Sequence, residues 1–148
     1  MSFNLTKGCK LTRVINATAA GTSDVNGSTI DMKGYDSVVF IVGFGEITAT
    51  AVTSIKAQQG AASNMSDAAD LLGTAISVAD DDDDQIVALE VVKPQERYVR
   101  VVVDRGTANA VIDFGIALQH AAQTEPVTHD PTTVIGSECH HAPSEGTA

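Results

Sequence analysis

The chain has 148 residues, of which 19 are acidic and 9 are basic, so its formal net charge at pH 7 is −10. This length fits one domain with a real core, whereas the acidic balance argues against binding to nucleic acid or to an anionic membrane. The core is expected to be light, because the chain has no Trp and much of its 43% of hydrophobic residues is Ala and Val. A partner surface would then supply further burial.

Signals for targeting and for disulfides are weak. No stretch of the sequence has the roughly 20 apolar residues of a membrane-spanning helix, and the N-terminus lacks the basic and apolar regions of a signal peptide. We therefore expect a protein that is made in the cytoplasm and stays soluble. Cys9 and Cys139 are the two cysteines, and without a secretory context free thiols are favoured over a disulfide.

Strand signals begin after a short N-terminal lead-in, residues 1–9. The runs that follow are rich in β-branched residues, which suit a pleated sheet, and turn residues such as Asn26-Gly27 separate them. The run 36–44 is apolar on both side-chain parities and predicts a central strand covered on both faces. The strands predicted in the first half of the chain are 10–18, 28–32, 36–44 and 47–59.

The second half of the chain begins with small, polar residues, 60–70, which predict a long exposed loop or one helical turn capped by Ser66 or Asp67. Apolar runs then alternate with turns, and the turn at 93–96 contains Pro94, which suits a tight reversal. We therefore expect the strands on its two sides to pair as an antiparallel hairpin, within a β-meander that continues to the last strand. The strands predicted here are 71–78, 86–92, 98–103 and 110–120.

Side-chain parity predicts the buried face of the strand 98–103, because successive strand residues point to opposite sides of a sheet. Val99, Val101 and Val103 share the face assigned to the interior. Tyr98, Arg100, Val102 and Asp104 lie on a mixed outer face that needs water or a partner surface. In the last strand, the larger apolar residues of one parity are Ile112, Phe114, Ile116 and Leu118.

Eight strands in the domain 10–121, with turn signals at intervals of about 8 to 12 residues, predict an all-β sandwich or barrel. From residue 122 the composition changes to Thr, Pro, Glu and His, which predicts an extended C-terminal arm over 122–148. Its apolar Val127, Val134 and Ile135 could anchor it on a neighbouring subunit or another partner. We expect the arm to be mobile in the free protein.

The N-terminal end of the chain is basic, in contrast to the remainder. Lys7, Lys10 and Arg13 precede the first acidic residue, Asp24. One interpretation is contact with an acidic surface of a partner or a sister subunit, and the other is chance in a small sample.

The run Asp80–Asp84 is the most conspicuous local feature of the sequence. Five carboxylates could bind calcium, but a calcium loop interleaves its ligands with Gly and spacer residues. A solvated, self-repelling turn is the favoured interpretation. Cys139-His140-His141 has metal-ligand residue types, yet adjacent ligands in a tail rarely close a tetrahedral site, so we predict no metal or other cofactor.

No pattern in the sequence predicts an enzyme. No Ser, Cys or His lies in a nucleophile-elbow, Walker or zinc-protease motif, and Gly43-Phe44-Gly45 lacks the third glycine of a dinucleotide site. A cross-strand ion pair explains the possible proximity of Asp104, Arg105 and Asp113 without catalysis.

Several blocks of the sequence resemble small virion proteins of tailed phages. These blocks are Ile55-Lys-Ala-Gln-Gln-Gly-Ala61, Ser66-Asp-Ala-Ala-Asp-Leu-Leu-Gly-Thr74, Asp80–Asp84, Arg97-Tyr-Val-Arg100 and Arg105-Gly-Thr-Ala-Asn-Ala110. They are similar to the capsid cement, or decoration, proteins of short-tailed phages. The resemblance covers about residues 10–121 and marks no individual contact residue.

The resemblance implies a jelly-roll-like antiparallel β-sandwich that binds the outer surface of a phage head. Such proteins clamp neighbouring major capsid proteins and act as homodimers or homotrimers. A head-completion or tail component is an alternative, and so is a carbohydrate-binding β-sandwich, although Tyr35 and Tyr98 are the only tyrosines for an aromatic platform. The interface candidates taken from the residues are Lys7, Lys10, Arg13, Tyr98, Arg100, Val127, Val134 and Ile135.

Overall fold

The computed structural model of the protein describes residues 4–148. These residues form one short helix and eleven strands in two antiparallel sheets packed against each other, so the predicted all-β sandwich is confirmed. The helix is α1 (Leu5–Gly8), and the strands are β1 (Lys10–Ile15), β2 (Thr18–Gly21), β3 (Val25–Asn26), β4 (Ile30–Asp31), β5 (Tyr35–Ile47), β6 (Val52–Gly60), β7 (Ala69–Asp70), β8 (Ile76–Val78), β9 (Ile86–Val92), β10 (Tyr98–Gly106) and β11 (Ala110–Ala122).

Each sheet is built around two long, adjacent strands. Sheet A has the order β1, β11, β5, β9, and β2 also pairs with β11. Sheet B has β10 and β6 in its middle; β3 and β4 pair with β10, and β7 and β8 pair with β6. The run 36–44 therefore lies in a central strand, as its sequence predicted, since β5 pairs with β11 on one side and β9 on the other.

The hairpin predicted around Pro94 is wrong. β9 pairs with β5 in sheet A, whereas β10 pairs with β6 in sheet B, so the chain crosses between sheets at this turn. β11 likewise pairs with β1 and β5 rather than with β10. Turn residues favour a reversal of the backbone but do not select the sheet that the next strand joins, and burial of both strands' apolar faces makes that selection.

The core lies between the two sheets. The predicted inward parity of β10 is confirmed, although Val102 on its outward parity is buried as well. Val99, Val101 and Val103 are fully buried. They face the inward residues of β5, of which Val38 and Phe40 are also fully buried. Most core side chains are Val, Ile or Ala, so the core is as light as the composition indicated.

The alternation of β11 changes phase in the middle of the strand. Its register against β5 shifts on both sides of Ile112, and an irregularity of this kind reverses which parity faces the core. Ile112 points inward, but beyond the irregularity the inward residues are Ala117 and Gln119, which are fully buried. The half-buried Phe114, Ile116 and Leu118 consequently lie on the opposite side of sheet A.

Arg105 joins the two sheets from within the protein. Its side chain is buried, and its guanidinium donates hydrogen bonds to three backbone carbonyls, those of Ala19, Ser23 and Ala110. Arg105 belongs to β10 of sheet B, whereas Ala19 and Ala110 belong to β2 and β11 of sheet A. The predicted ion pair of Arg105 with neighbouring aspartates is replaced by these carbonyl contacts.

Candidate protein-binding surfaces

The outward-facing side of sheet A is covered with apolar side chains. Residues directly opposite each other in an antiparallel pair point to the same side, so the strand register defines rows across β1, β11, β5 and β9. These rows are His120, Ser37 and Val92; Leu11, Leu118, Val39 and Glu90; Arg13, Ile116, Ile41 and Ala88; and Phe114, Gly43 and Ile86. We call this surface the sheet A outer face.

The apolar residues of the sheet A outer face do not belong to the core. Ile86 and Val92 on β9 are 67% and 63% exposed. Val39, Ile41 and Ile116 are partly exposed and lie outside the buried cluster between the sheets. Apolar side chains exposed side by side on a sheet are typical of protein contact sites, so the sheet A outer face is a candidate contact surface.

A glycine shapes the sheet A outer face. Phe114 lies opposite Gly43 in the register of β11 and β5, and a side chain at Gly43 would overlap the Phe114 ring. Gly43 thus leaves room for the ring against the β5 backbone. This packing explains the glycine of Gly43-Phe44-Gly45 without a nucleotide.

The sheet A outer face carries few charges, and they are separated by sign. The basic Arg13 lies on β1 at one side, and Glu90 lies on β9 at the other. The carboxylate of Glu90 is 2.6 Å from Nε2 of His120. Asp113 is exposed at the end of the face where β11 is irregular.

The outward-facing side of sheet B is polar and its charged groups are paired. Nε of Arg100 donates to Oε1 of Gln58 at 2.8 Å. Nζ of Lys56 lies 3.0 Å from a carboxylate oxygen of Asp70 and 3.5 Å from one of Asp104. We call this surface the sheet B outer face.

The pairing on the sheet B outer face changes the pKa of its carboxyl groups. Hydrogen bonds from Gln58 and then from Lys56 hold the pKa of Asp70 below its ordinary value. A two-point contact with Arg97, 2.8 Å for each bond, lowers the pKa of Asp31 in the same way. Both carboxylates are therefore stabilised in their charged form.

The C-terminal segment lies along the free edge of β1. The backbone N–H of Leu11 donates to Nδ1 of His129 at 3.0 Å, and the ring's Nε2 lies 2.8 Å from the carbonyl of Thr6. The N–H of Arg13 donates to Oγ1 of Thr133 at 3.1 Å. These contacts occupy backbone groups that an edge strand otherwise presents to other chains.

The first half of the predicted arm is therefore attached to its own domain rather than free. Besides the contacts of His129, the N–H of Val127 donates to the carbonyl of Lys7 at 2.8 Å. A hydrogen bond from the Thr132 hydroxyl, with help from its backbone N–H, lowers the pKa of Asp130 in the turn that follows. Residues 136–148 are exposed beyond this turn.

The structure divides the predicted interface candidates between two regions. Lys7, Lys10 and Arg13 lie on α1 and β1 beside the attached segment that contains Val127 and Val134. Tyr98 and Arg100 lie on sheet B. The guanidinium carbon of Arg97 is 5.2 Å from the centre of the Tyr98 ring. Ile135 is fully exposed just past the attached segment.

The acidic run Asp80–Asp84 is more than a solvated turn, because three of its carboxylates accept backbone hydrogen bonds. Asp83 accepts from the N–H of Ile47 at 2.8 Å, and Asp80 accepts from the N–H of Thr50 at 2.7 Å. Asp82 closes its own loop by accepting from the N–H of Ala79 at 2.8 Å. The run thus holds the connection between β5 and β6 in place.

No group of three or more His, Cys, Asp or Glu residues within 4–148 is arranged to hold a metal ion. Both cysteines are free, as predicted, with Cys9 buried and Cys139 exposed. Burial, followed by the negative charge of Glu125, raises the pKa of the Cys9 thiol.

An open cleft of about 480 Å³ lies at the end of the sandwich where β5 begins and β9 ends. Lys33 and Lys93 contribute positive charge to its lining, and Asp36 and Glu96 contribute negative charge. Tyr35 also lines the cleft, and burial raises the pKa of its hydroxyl. The lining contains no Ser, Cys or His.

Sequence reasoning did not identify the sheet A outer face as a candidate contact surface. The signal was present in 36–44, which is apolar on both parities, because a strand of this kind needs cover on both faces. Sheet B covers one face of β5, but Val39 and Ile41 on the other remain partly exposed. The sequence did not show which side of β11 faces the core. Apolar residues alternate regularly along this strand, so its irregularity near Ile112 cannot be seen in the sequence.

Comparison with known proteins adds no family. No protein-family model matches the chain, and a search of curated proteins finds no match. Within residues 4–148, no helix has the length and apolar character needed to cross a membrane.

Proposed function

We propose that this protein is a structural component of a tailed-phage virion, namely a capsid cement or decoration protein. It is made in the host cytoplasm, binds the outer surface of the phage head, and stabilises the head by clamping neighbouring major capsid proteins. Its partners are the major capsid protein and further copies of itself, as a homodimer or homotrimer. It is not an enzyme, uses no cofactor, and binds neither nucleic acid nor membranes.

The observation that carries this proposal is the sheet A outer face. A small β-sandwich that leaves Ile86 and Val92 more than 60% exposed, beside the partly exposed Ile41 and Ile116, gains burial by contacting protein. Apolar rows on a rigid sheet suit a permanent structural contact better than a transient one, because obligate interfaces resemble a core divided in two.

The position of the sequence blocks that resemble cement proteins supports a second contact surface. Four of the five blocks lie in sheet B or in the loops that flank it, as the bounds of β6, β7 and β10 show. The loop between β7 and β8 presents Leu72, which is fully exposed. A protein with one contact surface on each sheet can hold two neighbours at once, which is what clamping requires.

The carbohydrate-binding alternative has weaker support from the geometry. Tyr35 is partly buried, and Tyr98 is partly covered by the guanidinium of Arg97. Neither ring therefore forms the open aromatic platform on which a sugar would stack.

The test is to purify particles of the phage that encodes this protein and to measure its copy number by quantitative mass spectrometry. We expect a copy number in fixed proportion to the major capsid protein, and density on the outer shell in a reconstruction. Particles from a phage that lacks the gene, with and without added purified protein, are the control.

Two outcomes would contradict the proposal. A few copies at a single vertex would identify a head-completion or tail component instead. Absence from purified particles, together with no binding of the added protein to heads that lack it, would remove a virion role altogether.

A further inference from the structure

We propose that the free edge of β9 is a strand-addition site, where an extended segment of another protein pairs with β9 and extends sheet A by one strand. The segment carries a large apolar residue followed by Lys or Arg. The inference goes beyond the proposed function, because it does not depend on whether the other protein belongs to a capsid.

The backbone of β9 offers hydrogen bonds that the rest of the chain does not use. The N–H of Phe44 donates to the carbonyl of Gln85, the N–H of Lys93 donates to the carbonyl of Asp36, and the register between these two pairs is regular. Because bonded and non-bonded pairs alternate in an antiparallel ladder, the odd-numbered residues of β9 bond to β5. The even-numbered residues direct their N–H and C=O groups away from β5, and within residues 4–148 these groups have no partner. They are Ile86, Ala88, Glu90 and Val92.

The other outer strands present no free edge of this length. β3, β4 and β7 have two residues each, β8 has three and β2 has four. β1 has six, but the N–H groups of Leu11 and Arg13 donate to side chains of the C-terminal segment. Proteins usually shorten or cover their edge strands, because a free edge can pair with another chain. In the part of the chain that the structure describes, the seven residues of β9 depart from this rule.

A pocket beside this edge suits one apolar side chain of the added strand. It has a volume of about 130 Å³ and lies between β8, an edge strand of sheet B, and the start of β9. Phe44, Val78 and Val87 contribute apolar lining. Directly opposite residues of paired strands point to the same side of the sheet, so a residue paired with Val87 points toward this pocket. Strand addition gains its specificity from pockets of this kind.

The charge beside the pocket favours a basic segment. The acidic run Asp80–Asp84 directly precedes β9, and Asp82 also lines the pocket. Within residues 4–148, none of the five carboxylates forms a salt bridge. The strands of sheet A pair antiparallel, so the C-terminal end of an added antiparallel strand reaches the acidic run. Lys or Arg after the apolar residue is therefore attracted there.

Segments of this chain suit the free edge of β9 less well. The exposed residues 136–148 include Glu138 and Glu145 and contain no Val, Leu, Ile or Met. Full antiparallel overlap of β9 with β9 of a second copy makes the two Glu90 side chains diagonal neighbours on one face. Each molecule also carries a net charge of −10, so the two copies repel each other.

The test uses the full-length protein and the synthetic peptide Thr-Val-Thr-Val-Thr-Leu-Lys-Lys, in which Leu can pair with Val87. Amide hydrogen exchange is followed residue by residue by NMR. At saturation the peptide should slow exchange of the four even-numbered amides of β9 by about tenfold or more, and should leave the odd-numbered amides, which already bond to β5, unchanged. The same peptide ending in Glu-Glu is the control and should bind about tenfold more weakly.

Two variants of the protein test the backbone and the charge separately. Ala88→Pro removes one outward N–H and should abolish peptide binding, whereas Ala88→Val keeps this N–H and should bind as the wild type does. Proline is tolerated where the N–H of an edge strand faces solvent, and circular dichroism checks that the variant is folded. Asp81→Lys changes an exposed carboxylate without a hydrogen bond. It should weaken binding of the Lys peptide and strengthen binding of the Glu peptide.

Four results would overturn the inference. The first is slow exchange of the even-numbered amides in the free protein, which would show that the edge is already occupied, by a second copy if the protection rises with protein concentration. The second is no binding of the Lys peptide at millimolar concentration, and the third is binding that protects amides outside β9. The fourth is equal binding by folded Ala88→Pro and Ala88→Val.

Discussion

The two outer faces of the sandwich differ in how they satisfy their side chains. On the sheet B outer face, Lys56 and Arg100 are bonded to neighbouring side chains of the same chain. On the sheet A outer face, Ile41 and Ile116 remain partly exposed and lie outside the buried core. The polar groups of the sheet B outer face thus have partners within the chain, whereas apolar side chains of the sheet A outer face remain partly exposed to solvent.

This difference shows that an apolar strand face is not evidence of burial within the same chain. Both sheets contribute inward residues to one core, and their inward parities look alike in sequence. The outward residues separate them, because those of β6 and β10 include the charged Lys56, Arg100 and Asp104, whereas those of β5 from Ser37 to Gly43 include no charged residue. Partner contacts are expected where the outward parity is apolar, and Tyr98 and Arg100 are the less favoured candidates for self-association.

The largest effect is expected from a charge on the inner side of β10. Val101→Asp should prevent folding, because it buries an unpaired carboxylate at a position with no exposed surface. Arg100 precedes Val101 and lies on the outer side of β10. Arg100→Ser should therefore leave the protein folded, with a melting temperature close to that of the wild type. Equal behaviour of the two variants in thermal unfolding would contradict the assignment of the two sides of β10.

The next largest effect concerns the link between the two sheets. Arg105→Ala should destabilise the protein by about 2 to 4 kcal/mol, because three backbone carbonyls lose charged donors. Arg105→Lys keeps the charge, but one ammonium cannot reach all three carbonyls. Its free energy of unfolding should therefore lie between that of Arg105→Ala and that of the wild type. Chemical denaturation measures both, and Arg100→Ala is the control for loss of an arginine. A loss no larger than that of Arg100→Ala would show that the link between the sheets is unimportant.

A smaller effect is expected at the edge of sheet A. His129→Ala removes the acceptor of the Leu11 N–H, so it should cost about 1 kcal/mol and speed hydrogen exchange of that amide. Thr128→Ala changes an exposed neighbour and should do neither. Unchanged exchange at Leu11 in the His129 variant would show that the segment does not protect the edge.

The smallest effect is a pH dependence confined to sheet B. Because the folded protein holds the pKa of Asp31 below its ordinary value, the contribution of its pair with Arg97 is complete above that ordinary value. It is lost as the pH falls through the lower, folded value. The two side chains are 45% and 50% exposed, so the contribution should be at most about 1 kcal/mol.

The measurement compares wild type with Asp31→Asn in denaturant between about pH 6 and pH 2. The difference in unfolding free energy between them should shrink as the pH falls. Asp81→Asn, on the exposed acidic run, controls for the loss of one negative charge. A difference that stays constant over this range would exclude the pair as its source.

The positions of the long strands could be predicted from the sequence, because side-chain alternation is a local property of the chain. The predicted strand 98–103 lies within β10, and 86–92 coincides with β9. The short strands were predicted only in part: 28–32 contains β4 and 71–78 ends with β8, but β7 lies in the segment 60–70 that was predicted as a loop. A two-residue strand forms through its partner, so its own sequence carries little signal.

The candidate surfaces were less predictable than the strands. Lys7, Lys10 and Arg13 were expected to act together and do lie on one edge, since they are neighbours in sequence. Their proximity to His129 could not be predicted, because more than 100 residues separate the two parts of the chain. The role of Arg105 was mistaken for the same reason, because its carbonyl partners Ala19, on β2, and Ser23, just after β2, are far from it in the sequence.

The sequence by itself determined an acidic, all-β protein, the inward parity of β10 and the central place of β5, because composition and alternation act residue by residue. The tertiary structure alone decided that β9 and β10 belong to different sheets and that the irregularity of β11 turns Phe114, Ile116 and Leu118 outward. Strand pairing depends on how all the apolar faces are buried at once, and an irregularity in register depends on the partner strand. Neither is encoded in any single segment.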